Sequence, residues 1–155
     1  MPPMEGTVDL DFEVRTIRNA PIFKGLDPNK MRLLACISEQ LTFQPGEFVC
    51  ESGEASDAAY VILEGEIEFL VEGTKGEKAL GRQGPGTMFG EVGLLCDRER
   101  FATVKAVSPL SVMRINKDCF LRMMQDNAQF SMAVAQELAR RVIRLAERAG
   151  GEMTH

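Results

Sequence analysis

Between Leu41 and Ile115, short apolar runs of period two are cut by turn residues every several positions. That rhythm restricts the segment to an antiparallel sandwich or barrel. Leu41 and Phe43 precede Pro45-Gly46, Phe48 and Cys50 precede Ser52-Gly53, and Tyr60 to Leu63 precede Gly65. Ile67, Phe69 and Val71 then alternate, pointing one way, before Gly73-Thr74-Lys75-Gly76 reverses the chain and Leu80 falls in the returning strand. Thr103 to Val107 and Leu110 to Ile115 read as a further strand pair around Ser108-Pro109. The expected fold is mainly β with flanking helices, an antiparallel jelly roll of about eight strands over residues 41–115.

Outside that window the period changes to helical. Leu10, Val14 and Ile17 recur at helical spacing from Asp9 to Asn19, and Pro21 ends the run. Asp27-Pro28 supplies an N-cap oxygen and a proline at the first helical position, which predicts a helix to about Glu39 burying Met31, Leu34 and Ile37 or near neighbours. The N-terminal helical region therefore spans residues 8–39. After the strands, Asn116 is placed to cap a helix to about Gln125 that packs through Phe120, Leu121 and Met124. A last helix is expected from Ala128 to Ala149, stopped by Gly150-Gly151, so that the C-terminal helices occupy residues 117–149. Its Ala135, Leu138, Val142, Leu145 and Ala149 follow a three-four alternation, while Arg140, Arg141, Arg144 and Arg148 crowd the other faces. With 155 residues, the whole chain, 1–155, reads as one domain.

Composition removes several function classes. A formal net charge of -5 argues against a general nucleic-acid surface. A single small anion needs only a local positive site. No apolar run is long enough to cross a bilayer, and Met1-Pro2-Pro3-Met4-Glu5-Gly6 lacks the parts of a secretory signal, so a cytoplasmic location is expected. Cys36, Cys50, Cys96 and Cys119 are far apart, with no Cys-x-x-Cys, and read as free buried thiols. The only histidine is His155, which leaves the interior without its commonest metal ligand and general base; the chain is not expected to be an enzyme. Glu64, Glu66 and Glu68 alternate like a solvated strand face.

The chemistry-bearing stretch is Pro85 to Ala106. Phe89-Gly90-Glu91-Val92-Gly93-Leu94-Leu95 sets two glycines around a carboxylate at the start of a short apolar segment, a tight turn whose free N–H groups suit an anion. Arg100 follows, then Phe101-Ala102-Thr103-Val104, which begins a strand. A guanidinium beside amide donors matches a phosphate, and a carboxylate in the same pocket matches hydroxyls next to that phosphate. The same two residues also read as a buried ion pair that pins a loop to the barrel.

These residues, from Phe89 through the four-residue gap to Arg100-Phe101-Ala102-Thr103, resemble the phosphate-binding cassette of cyclic nucleotide-binding domains, with the cassette spanning residues 85–104. The likeness extends over roughly residues 8 to 148. It implies a cAMP or cGMP ligand and no further cofactor. It implies that Glu91 takes the ribose 2′-hydroxyl, that Arg100 takes the exocyclic phosphate oxygens, and that N–H groups near Gly93 and Phe101 complete the cradle. The ligand-contacting set it implies is Phe89, Gly90, Glu91, Val92, Gly93, Leu94, Arg100, Phe101, Ala102 and Thr103. Phe69 is placed to face sugar and base, and it reads equally as core. The family carries Ala, Ser or Thr where this chain has Phe101; Thr goes with cGMP preference, so its absence favours cAMP.

The resemblance also implies that the last helix is a lid whose Leu138, Arg141 or Val142 caps the base. The stripe on that helix reads as well as a seam for a second copy of the chain or as a permanent packing onto the barrel. Six residues after Ala149 are too few for a helix-turn-helix, so direct nucleic-acid binding is not expected. The expected function is a sensor coupling nucleotide binding to movement of its C-terminal helix, with an effector protein the sequence does not name. The alternatives are a ligand-free structural or interaction domain of the same fold, or a regulatory fragment of a larger channel, kinase or transcription regulator.

Overall fold

A computed structural model describes residues 15, 17, 18 and 20–153, and Leu10 and Val14 of the first expected helix lie outside the described residues. Arg15, Ile17 and Arg18 are helical, with Ile17 fully buried. A 3-10 turn at Pro21–Phe23 follows, and then helix α1, Pro28–Ile37, capped by Asp27 Oδ1 accepting from Asn29 N at 2.8 Å. Helix α1 buries Met31, Leu34 and Ala35. Ile37, expected in the core, is 52% exposed, because the helix ends there and β1 starts at Glu39 rather than Leu41.

Eight strands follow: β1 (Glu39–Phe43), β2 (Phe48–Cys50), β3 (Ala58–Glu64), β4 (Ile67–Gly73), β5 (Gly76–Gln83), β6 (Met88–Phe89), β7 (Thr103–Ala106) and β8 (Leu110–Asn116). They form two four-stranded sheets, in the orders β1-β8-β3-β6 and β2-β7-β4-β5, and every pairing is antiparallel. The molecule is a mainly β jelly roll with flanking helices. β7 and β8 do not pair with each other as expected: β7 joins β2 and β4, whereas β8 joins β1 and β3. The Val107–Pro109 link crosses between sheets.

Strand β3, Ala-Ala-Tyr-Val-Ile-Leu-Glu, shows why the sequence demands layers on both sides of one sheet. Ala58, Tyr60 and Ile62 face the second sheet, while Ala59, Val61 and Leu63 face the helices. Burying each large apolar side chain is worth about 1.5–3 kcal/mol, so neither face can be left to water. The helical layer closes on an aromatic knot. Phe130 stacks on Phe23 with centroids 5.5 Å apart, and meets Phe120 edge-on at 5.8 Å.

Two local expectations change. Glu64 ends β3, Glu66 sits in the turn and Glu68 belongs to β4, facing Arg82 at 3.4 Å, so the three share no strand face. In β4, Leu70 is buried as well as Ile67, and the register slips between Phe69 and Leu70 opposite Leu80.

Helix α2, Glu91–Leu95, lies inside the cassette. Helix α3, Lys117–Asp126, begins at Asn116, whose Oδ1 accepts from Cys119 N at 2.8 Å as the sequence suggested. Helix α4 runs from Ala128 to Met153, past Gly150-Gly151. Gly150 lacks the positive φ of a left-handed cap, and glycine in a right-handed turn only weakens a helix, by about 1 kcal/mol. Of the four thiols, Cys50 is buried but Cys36 and Cys96 are exposed, which corrects the reading of all four as interior.

The turn glycines differ in what they permit. Gly65 has φ +89, and a Cβ there would lie 2.2 Å from Pro109 O; Gly46, at φ +93, has nothing within 4 Å of that position. Both substitutions meet a left-handed penalty of about 1–2 kcal/mol. Gly65→Ala should lose at least about 1 kcal/mol more than Gly46→Ala in urea denaturation, since it must also displace the crossing link.

Candidate functional site

Strand β6 delivers the chain to Gly90, which takes φ +86 and starts α2. No residue with a Cβ fits: that atom would lie 2.6 Å from Arg100 Nη1 and 3.1 Å from Ala58 O. Gly93 is required for a different reason. Its Cβ would lie 1.9 Å from Ser56 Oγ, so the 53–57 loop closes directly against its backbone.

Arg100 is buried, and its guanidinium holds the cassette to β3. Nη1 donates to Gly90 O at 2.9 Å, and Nη2 donates to Ala58 O at 2.7 Å and to Asp57 Oδ1 at 3.5 Å. It also lies 5.7 Å from the Tyr60 ring centroid. Two of its five N–H donors, on Nε and Nη1, have no partner among the described residues. The expected alternative of a direct Glu91–Arg100 ion pair does not occur among the described residues.

Glu91 instead meets helix α4. Only 2% exposed, its Oε1 is ion-paired with Arg141 Nη1, while Arg141 Nη2 donates to Met88 O at 2.6 Å. Oε2 is buried without a hydrogen-bond partner. Burial raises the Glu91 carboxyl above its ordinary range and outweighs the opposing effect of Arg141. An unmet acceptor in that setting favours any ligand that brings a hydroxyl donor.

These groups line a cavity of about 380 Å³ between the β2-β7-β4-β5 sheet and α4. Four arginines, Arg100, Arg141, Arg144 and Arg148, face it with two glutamates, Glu91 and Glu137, a balance that suits an anion. Phe69 and Phe89 form its inner wall, with Phe89 stacked on Tyr60 at a centroid distance of 5.0 Å and Phe69 edge-on to Phe89 at 6.2 Å. Phe69 packs against core residues and also lines the cavity. Cys50 also lines it, but burial pushes this thiol up to about 11, so it stays protonated at neutral pH.

The residues singled out from sequence divide accordingly. Phe69, Phe89, Gly90, Glu91, Val92, Gly93, Arg100, Phe101 and Ala102 line the cavity. Leu94 instead points into the core beneath the helices, and Thr103 Oγ1 accepts from Ser52 N at 3.0 Å, away from the lining. Of the lid candidates only Arg141 reaches the cavity; Leu138 packs on the core and Val142 is 65% exposed. The expected single stripe splits for this reason. Leu138 turns inward, and the outward three-four row is Met132, Ala135, Ala139, Val142, Ala146 and Ala149, all exposed. The sequence reading missed Glu137, Arg144, Leu145 and Arg148, which with Arg141 recur at helical spacing on one face of α4 and would have been found by extending that face. No group of three His, Cys, Asp or Glu able to hold a metal occurs among the described residues, and no helix among them is long and apolar enough to cross a membrane.

Comparison with known proteins converges on one family. The sequence profile described as the cyclic nucleotide-binding domain matches residues 40–127. The chain is 30% identical over 108 residues to a cAMP-dependent protein kinase regulatory subunit of Emericella nidulans, across 70% of this chain and 26% of that protein. It is 37% identical over 108 residues to a subunit of the same description from Yarrowia lipolytica, across 70% of this chain and 28% of that protein. The chain therefore spans little more than a quarter of the length of either relative. The crystal structure of the Thermus thermophilus catabolite activator protein superposes with a TM-score of 0.76 at 25% identity, covering 84% of this chain and 62% of that one.

The raised Glu91 carboxyl sets the sign of a pH effect. The folded chain holds this proton at pH values where the unfolded chain, near the ordinary 4.5, has released it. Glu91 therefore costs stability as pH rises from 4.5 through its raised folded value, and the loss is recovered on acidification. Over that window the thermal midpoint of the ligand-free protein should fall relative to that of Glu91→Gln, with the gap closing at the acid end. A gap independent of pH would contradict the assignment.

Proposed function

The chain belongs to the cyclic nucleotide-binding domain family, and we propose that it is a cAMP sensor that couples ligand binding to closure of helix α4 over the cavity. The observation that carries this reading is the divided use of the Glu91 carboxylate: Oε1 bound by the last helix, Oε2 buried and unpartnered at the cavity wall. A ribose 2′-hydroxyl donating to Oε2 fills the open acceptor. The cyclic phosphate takes the donors left on Arg100 together with the first-turn amides of α2.

Coupling follows from charge. Buried and without a ligand, Glu91 is pushed toward its neutral form, and the neutral form attracts Arg141 less. A hydroxyl bonded to the carboxylate favours ionisation, so the ligand strengthens the grip of Arg141 and holds α4 over the site. Ligand and closed helix then favour each other reciprocally, by about 1–3 kcal/mol in typical allosteric systems. The ligand moves the helix only because it prefers the closed arrangement. Phe101 carries no hydrogen-bonding group for the guanine amine, which supports cAMP over cGMP. The effector that reads α4 is a separate protein or a neighbouring domain, the arrangement expected of a non-catalytic regulatory module.

Helix α4 also supports self-association. Its outward row from Met132 to Ala149 keeps a three-four spacing through six exposed positions, the pattern of a coiled-coil seam, and a second copy of the chain is the partner that matches it.

Calorimetric titration tests the ligand assignments. The protein should bind cAMP more tightly than cGMP, and more tightly than 2′-deoxy-cAMP; Glu91→Ala should weaken cAMP and erase the preference for the 2′-hydroxyl. Equal loss for both analogues would remove Glu91 from this role. Arg100→Ala should cost about 2–5 kcal/mol of binding. Arg141→Ala should lower cAMP affinity roughly fivefold or more, whereas a rise would mean that ligand and helix compete for Glu91. Sedimentation velocity should find a dimer that Val142→Glu dissociates; a monomer at all concentrations would dismiss the seam.

A further inference from the structure

Glu137 is the second carboxylate on the cavity lining, and it stands among three arginines. Its Oε2 is 3.4 Å from Arg140 Nε, while Oε1 is 3.5 Å from Arg144 Nη2 and 3.7 Å from Arg141 Nε. Among the described residues, every ion pair of Glu137 is thus internal to α4 and travels with that helix. Its effect on the cassette has the opposite sign. The Glu91 carboxyl is pushed up first by its burial and also, against the pull of Arg141, by the negative charge of Glu137. The other charged groups lining the cavity are Arg100, Arg144 and Arg148. Arg141 therefore sits between two carboxylates. Its Nη1 is ion-paired with Glu91 and its Nη2 donates to Met88 O at 2.6 Å, whereas the 3.7 Å from Nε to Glu137 is too long for a hydrogen bond.

We infer that Glu137 is a positioning residue that offers Arg141 a second counter-charge on its own helix, and so biases α4 against closing until a ligand is bound. This rests on the cyclic nucleotide reading above. The direction follows from which contacts survive when the helix moves. Drawing an arginine away from a buried carboxylate is strongly unfavourable when it leaves both charges unpaired. With Glu137 four residues earlier on the same helix, Arg141 keeps a partner in the open arrangement, in the Glu-before-Arg order that suits such pairs. In the closed arrangement the same carboxylate also repels Glu91. Both effects favour the open helix. A ligand hydroxyl that stabilises the Glu91 carboxylate draws Arg141 back to it. When the binding-competent arrangement is only partly populated, apparent affinity falls by that fraction. Glu137 thus tunes ligand affinity through Arg141 and Glu91.

The test is Glu137→Gln, which keeps the shape of the side chain and removes its charge. Carbon-detected NMR titration of the ligand-free protein should show the Glu91 carboxyl ionising at lower pH in the variant than in wild type. In calorimetry the variant should bind cAMP roughly two- to fivefold more tightly, the scale of one charge contact at a part-exposed site. The gain should vanish when Glu137→Gln is made in a Glu91→Gln background, because no carboxylate is then left to repel. A side chain that served only the stability of the helix would move neither the titration nor the affinity in this sense. If wild type binds cAMP, then unchanged or weaker binding by the variant, an unmoved Glu91 titration, or a gain that persists without the Glu91 charge overturns the role of Glu137 while the nucleotide reading stands. If wild type does not bind cAMP, the nucleotide reading falls and takes the positioning role with it.

Discussion

The arrangement depends on one buried guanidinium. Arg100 is fixed by the carbonyls of Gly90 and Ala58, one at the start of α2 and the other at the start of β3. Its own backbone is tied to the 53–54 turn, with Arg100 N donating to Glu54 O at 2.8 Å and Gly53 N donating to Arg100 O at 2.8 Å. Burying a cation is costly unless hydrogen bonds and a nearby counter-charge offset it, and Asp57 supplies the latter. The same side chain thus joins the cassette to the barrel while lining the cavity.

Glu91 presents the opposite electrostatic problem. Its burial is unfavourable for the charged form, and Arg141 offsets this from fifty residues further along the chain. The α4 helix is therefore secured in two unlike ways. Phe130, Val134 and Leu138 hold its first part by apolar packing, while further on Arg141 holds it by charge. Apolar packing responds little to an anion in the cavity. The charged contact would respond directly, and in the sensor reading proposed above it is the point where the state of the pocket would reach the helix.

Much of the fold was legible because period two and turn residues are local signals. The strands, the Asn116 cap and the cassette at Phe89 to Thr103 all follow from neighbours within a few positions. The partition of strands between sheets was not legible from the same signals. Nothing in Thr103 to Ile115 says that the chain crosses at Ser108-Pro109 instead of turning back. The reading of α4 failed similarly: Leu138, Val142 and Leu145 are equally apolar, and only the tertiary position of the barrel sends one into the core, one to solvent and one to the cavity. The Glu91–Arg141 contact, fifty residues apart, has no local signature at all.

The length of α4 carries a mechanical consequence. Beyond Leu138 the helix continues to Met153, a rod of about 22 Å at 1.5 Å per residue. Pivoting that rod by about 10° at Leu138 would sweep its far end through about 4 Å, while Arg141, close to the fulcrum, would shift by less than about 1 Å. A displacement the size of one altered hydrogen bond would thus become, at the tip, a movement of several ångströms.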